Sequence, residues 1–159
     1  MPDRLTVYIF HDRPELAPLE KYLRNQGFNS RLVQDPLVCL QLAETGMGNV
    51  DAVLVHKDLG QHYEPVRRNI SSNIVVARLH EVSPFVRIGI VSGEYPDGEK
   101  HVLNMGADFY CNALDLSQPW TLEQLSKGWV TPEEIKLRGT QVSKPPEENL
   151  LDWYLGKER

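Results

Sequence analysis

The chain has 159 residues and a mass of 18.2 kDa, enough for one ordinary hydrophobic core that removes about two-thirds of the open chain's surface from water. Hydrophobic residues make up 41% and charged residues 25%, a balance that excludes disordered, collagen-like and membrane classes. Seventeen basic against 22 acidic side chains leave a net charge of −5, which argues against non-specific binding to a phosphate backbone.

In chain order, short apolar runs alternate with amphipathic stretches. Leu5 to Phe10 is a continuous apolar run of strand length, and so are Asp51 to Val55 and Val86 to Val91. Runs of that kind suit strands covered on both faces, as in a parallel sheet. Phe28 to Val33 and Ala107 to Cys111 are weaker strand candidates. Pro14 to Gln26 places Leu16, Leu19 and Leu23 on one helical face, with Gly27 where the helix stops. Pro36 to Thr45 reads as a helix with Asp35 as N-cap and Leu37, Leu40 and Cys39 as candidates for its inward face. Ile70 to Val82 reads as a third, with Ile70, Ile74, Val75, Leu79 and Val82 as its apolar residues. A short helix over Gly98 to Met105 and another over Thr121 to Trp129 complete the alternation. Strictly alternating β and α over residues 5 to about 130 implies a parallel sheet wound with right-handed crossovers.

The expected division is a domain over residues 1–130, then a linker and a short amphipathic segment over 131–159. Gly139 to Pro146 reads as linker. Glu147 to Leu155 carries Leu150, Leu151, Tyr154 and Leu155 on one stripe, with Trp153 beside it. Such a stripe either folds back on the domain or meets another chain. No apolar run approaches the ~18–20 residues of a membrane span, and the start of the chain lacks a signal peptide's apolar stretch. Two cysteines, Cys39 and Cys111, make neither a disulfide framework nor a CxxC site, so the expected location is the cytoplasm.

In open α/β sheets ligands sit beyond the carboxyl ends of the strands. There the chain carries His11, Asp12 and Arg13, then His56, Lys57 and Asp58, then Ser92 and Gly93, then Asn112, Ala113 and Leu114. In this frame it resembles a response-regulator receiver domain of the CheY-like family. Ile9-Phe10-His11-Asp12-Arg13-Pro14-Glu15 is similar to the family's first strand with its paired acids, and Asp51 to His56 to the strand that ends in the phospho-accepting aspartate. Ser92-Gly93 matches the family's hydroxyl residue and small neighbour. Asn104-Met105-Gly106-Ala107-Asp108-Phe109-Tyr110 is similar to its Gly-Ala-Asp-x-Tyr segment.

The resemblance implies a doubly wound, flavodoxin-like sheet of order 2-1-3-4-5, with Tyr110 at the aromatic switch position. It also implies a pocket built from His11, Asp12, His56, Ser92 and Ala113, where the family has two acids, an acceptor aspartate, a hydroxyl and a lysine. Magnesium demands oxygen ligands in octahedral geometry, and a transferred phosphoryl group needs neutralising donors. With only Asp12 and Ser92 kept of the five, the chain resembles a pseudo-receiver: a non-enzymatic, phosphorylation-independent signalling module with no cofactor. Its expected partners are proteins, a second copy of the chain among them, and neither nucleic acid nor membrane. The expected interaction surface lies on the last two helices and the last strand, with Tyr110, Trp120, Trp153 and Tyr154 contributing.

Other readings attach to the same residues. Imidazole and carboxylate suit zinc, so His11, Asp12 and His56 are weak candidates for a metal- or small-ligand-binding sensor, although no strong ligand spacing supports them. Two histidines also titrate near neutral pH. Phosphorylation of His56 itself lacks a metal or cationic clamp to assist it. Asp58 as a displaced acceptor is moved roughly 6–7 Å along extended chain, which takes it out of the pocket. Leu59 to Asn73 is a long connection carrying Tyr63, Arg67 and Arg68; it reads as a solvated insert or a partner-contacting loop.

Overall fold

The computed structural model describes residues 4–11, 17–56, 59, 70–92, 106–112 and 119–138. The three continuous apolar runs form the centre of one parallel sheet: β1 (Thr6–Phe10), β3 (Ala52–His56) and β4 (Arg87–Ser92). The edges are β2 (Asn29–Val33) and β5 (Phe109–Asn112), and the order is β2-β1-β3-β4-β5. Phe10, Val53, Val55, Ile88 and Ile90 face one layer of side chains, and Val7, Ile9, Ala52, Leu54 and Val91 face the other. Both faces are therefore buried, which explains runs without polar alternation.

Helices cover each face. On one lie α2 (Pro36–Thr45) and α3 (Ser72–Val82), contributing Cys39, Ala43, Val75, Val76 and Leu79 to the core. On the other lie α1 (Ala17–Asn25) and α4 (Pro119–Ser126), contributing Leu19, Leu23 and Leu125. The expected helix over Gly98 to Met105, most of the insert from Leu59 to Asn73 and the start of the first expected helix lie outside the described residues.

The boundaries of α2 fall where the sequence puts them, because Asp35 accepts a hydrogen bond from the Leu37 amide at 2.9 Å. Cys39 is buried and Leu40 packs partly buried against the core, as expected, and Pro36 and Ala43 are buried with them, but Leu37 is 40% exposed. The cap fixes where the helix begins, and the small Cys39 and Ala43 let it lie close to the sheet. Similarly, α3 buries Val75, Val76 and Leu79 but leaves Ile74 and Val82 exposed. Gly89 sits opposite Phe109 in the sheet, and a Cβ there would fall 2.7 Å from Phe109 Cε2, so the ring occupies the place of a side chain.

Beyond the last expected helix the chain folds further. Residues 131–138, which composition places in the tail segment, contain α5 (Pro132–Lys136). Thr131 and Glu134 form a reciprocal capping box. This turn closes over the amino ends of β4 and β5. Arg87, 1% exposed, donates to Glu134 Oε2 at 3.0 Å and Oε1 at 3.2 Å, and to the Gly128 carbonyl at 2.9 Å. Arg138 donates to Asp108 Oδ1 at 2.9 Å and to the Val86 carbonyl at 2.8 Å. The other carboxylate oxygen of Asp108 accepts from the Ile88 amide at 2.7 Å. The guanidinium hydrogen bond of Arg87 holds the Glu134 carboxyl down at about 2. Burial pushes the Asp108 carboxyl up, against the pull of Arg138. Nearby, burial first and Arg138 second lower the His80 imidazole to about 4. Trp129 lies on the surface here, 54% exposed, donating its indole N–H to the Val50 carbonyl at 3.0 Å.

Candidate functional site at the carboxyl end of the sheet

The parallel pairing of β1 with β3 runs from Val7 opposite Ala52 to Phe10 opposite Val55. One step further along each strand brings His11 level with His56. Their rings stack with centroids 3.8 Å apart and planes within 3° of parallel. The His11 amide donates to the Val33 carbonyl at 3.1 Å, tying the end of β1 to the end of β2, and the residue is 3% exposed. After His56 the Leu59 amide donates back to its carbonyl at 3.2 Å, and Leu59 is buried. Backbone on both sides thus fixes the two histidines, and the strand register alone brings them together.

The geometry of the stack bears on metal binding. An ion shared midway between parallel rings would sit half their separation out of each ring plane, whereas Zn–N bonds of ~2.0–2.1 Å lie close to the plane. Among the described residues no group of three His, Cys, Asp or Glu could hold a metal ion; Asp12 lies outside them.

Of the other pocket residues, Ser92 ends β4, its backbone paired with Asn112 and one step beyond the His56–Val91 pair; its side chain, like Ala113, lies outside the description. Tyr110 is wholly buried, in register with Ile90 and packed in the same core cluster as Phe10 and Ile90, so its ring belongs to the interior. The backbone of Trp120 lies in α4; its side chain, and all of Trp153 and Tyr154, fall outside the described residues. Sequence reading did not foresee the buried Arg87–Glu134 and Arg138–Asp108 pairs at the opposite end of the sheet. The motif Thr131-Pro132-Glu133-Glu134 was the one signal available, since it has the spacing of a capping box.

No family model matches the sequence, and no curated protein matches it. The structure is similar to solved receiver domains. A response-regulator receiver domain protein from Clostridium thermocellum superposes with a TM-score of 0.62 at 13% identity, covering 77% of this chain and 92% of the other. A CheY-like receiver domain from Methylobacillus flagellatus gives 0.58 at 20% identity, covering 78% and 97%. A response regulator from Burkholderia pseudomallei, whose structure holds a phosphorylated aspartic acid, a calcium ion and citrate, gives 0.55 at 20% identity, covering 77% and 72%. The chain therefore has the CheY-like, flavodoxin-type fold: five parallel strands in the order 2-1-3-4-5, flanked by helices. At these identities the likeness is one of fold.

Proposed function

We propose that this chain is a receiver-like signalling module that works by binding protein partners in the cytoplasm and does so without aspartyl phosphorylation. The observation that supports the reading is the stacked pair of His11 and His56 at the carboxyl ends of β1 and β3. The resemblance places one magnesium-binding acid and the acceptor aspartate at these two positions. An imidazole in the acceptor's place offers no carboxylate to form an acyl phosphate, and one in the acid's place supplies no hard oxygen ligand for Mg²⁺. The Burkholderia pseudomallei neighbour carries its phosphoryl group on an aspartic acid; in the register of the resemblance the corresponding residue of this chain is His56. Recognition then rests on surface shape, and a second copy of the chain is one candidate partner.

Incubation of the purified chain with Mg²⁺ and acetyl phosphate, read by intact mass, tests this directly. The expected spectrum is unchanged. A phosphoryl adduct localised to a carboxylate at the ends of β1 or β3 would overturn the reading.

A further inference from the structure

At the end of the sheet away from the histidines lies an open groove of about 340 Å³. Its walls come from the chain leaving α2 and the chain leaving α3: Met47 on one side, Val82, Phe85 and Val86 on the other, with Trp129 along the edge. The walls are held in place, because the Met47 amide donates to Ser83 Oγ at 3.0 Å and the Trp129 indole is anchored on Val50. Val82, Phe85 and Trp129 are nevertheless 42%, 47% and 54% exposed. Three large apolar side chains converging on one concavity, each about half in water, make an apolar surface of the kind found at binding grooves.

We infer that this groove is the docking site of the chain's own carboxyl-terminal stripe, Glu147 to Leu155, bound in cis. Position supports that occupant: the described chain ends at Arg138, whose guanidinium is bonded to the carbonyl of Val86, a wall residue. The tail thus departs from the rim of the groove. Eight residues lie between Arg138 and Glu147, and the nine steps span up to ~30 Å when extended, so reach does not limit docking. A short tether also gives the stripe an effective concentration in the millimolar range. Chemistry agrees, for Leu150, Leu151, Trp153, Tyr154 and Leu155 offer apolar side chains to an apolar concavity on a chain of net charge −5. An outside partner reaches the groove only when the tail leaves. Docking here is independent of what His11 and His56 do at the other end of the sheet.

Hydrogen exchange on the full chain, with mass measured by light scattering on the same samples, tests the inference. Amides of residues 147–155 are expected to exchange at least about tenfold slower than in the free peptide, in a monomer and independently of concentration. Phe85→Asp and, separately, Val82→Asp should release them while β3 and β4 keep their protection. Both side chains are already half in water, so the fold tolerates the change. Free-peptide rates in the wild-type chain would overturn the inference. So would protection that survives both substitutions, and so would protection lost on dilution with a dimer, which would make a second copy the occupant.

Discussion

His80 shows how a single side chain can set the pH response of the fold. Among the described residues its Nε2 is buried without a hydrogen-bond partner, and Gly106 crowds its ring so closely that a Cβ there would lie 3.1 Å from His80 Cε1. Burial and the nearby Arg138 both disfavour a second positive charge, and a backbone hydrogen bond with Gly106 only partly offsets them. The unfolded chain takes up a proton near 6.5 whereas the folded imidazole resists until about 4. Stability from this group is therefore fully present above 6.5 and is lost as pH falls toward 4, by at most about 1.4 kcal/mol per pH unit. Glu134, held down by Arg87, has the same sign in a lower window, between 4.5 and about 2. Asp108, raised by burial, opposes it, since its folded form takes up a proton before the unfolded one does. Urea unfolding at pH 7 and pH 5.5 should show the wild-type midpoint falling with acid, and His80→Gln should flatten that fall. A slope unchanged by the substitution would place the acid sensitivity elsewhere.

Among the elements, α5 shows what pattern reading can and cannot reach. The apolar runs of β1, β3 and β4 announce themselves because both faces of a parallel sheet are buried, and α2 carries its own start signal in Asp35. The resemblance register brought His11 and His56 to neighbouring strand ends, but no pattern predicts the stacking of their rings. A five-residue turn with no buried side chain has no apolar period to detect. Its stability comes from partners far away in the sequence: Glu134 meets Arg87 across 47 residues, and Arg138 meets Asp108 across 30. Nothing local encodes those pairings. They matter because Arg87 is buried within the fold, and a buried guanidinium that loses its carboxylate keeps the desolvation cost without the compensation. Glu134→Ala should therefore cost about 2–3 kcal/mol, below the full value for a buried pair because Glu134 stays 23% exposed and Arg87 retains the Gly128 carbonyl. Chemical denaturation measures it. A loss within ~0.5 kcal/mol, ordinary for a surface ion pair, would mean that α5 contributes little to the domain.

Across the whole molecule the sheet separates two kinds of polar chemistry. The ion pairs that close the fold sit at the amino ends of β4 and β5, and the histidine stack sits at the carboxyl ends of β1 and β3. In the β3–β4 register Ala52 lies opposite Arg87 and His56 opposite Val91, so four residue steps intervene, about 13 Å at ~3.3 Å per residue. The strand residues between are apolar and buried. Substitutions at sites this far apart with no shared partner add within about 0.5 kcal/mol. His56→Ala alone should cost about 1 kcal/mol, the scale of a stacked ring pair, and combined with Glu134→Ala the loss should equal the two separate losses. A double-mutant cycle by urea unfolding decides the matter. A coupling energy above about 1 kcal/mol would show that the stack and the closure sense one another through the sheet. A change at the histidines could then reach the groove at the other end, and partner binding there would be under the control of the carboxyl-end pocket.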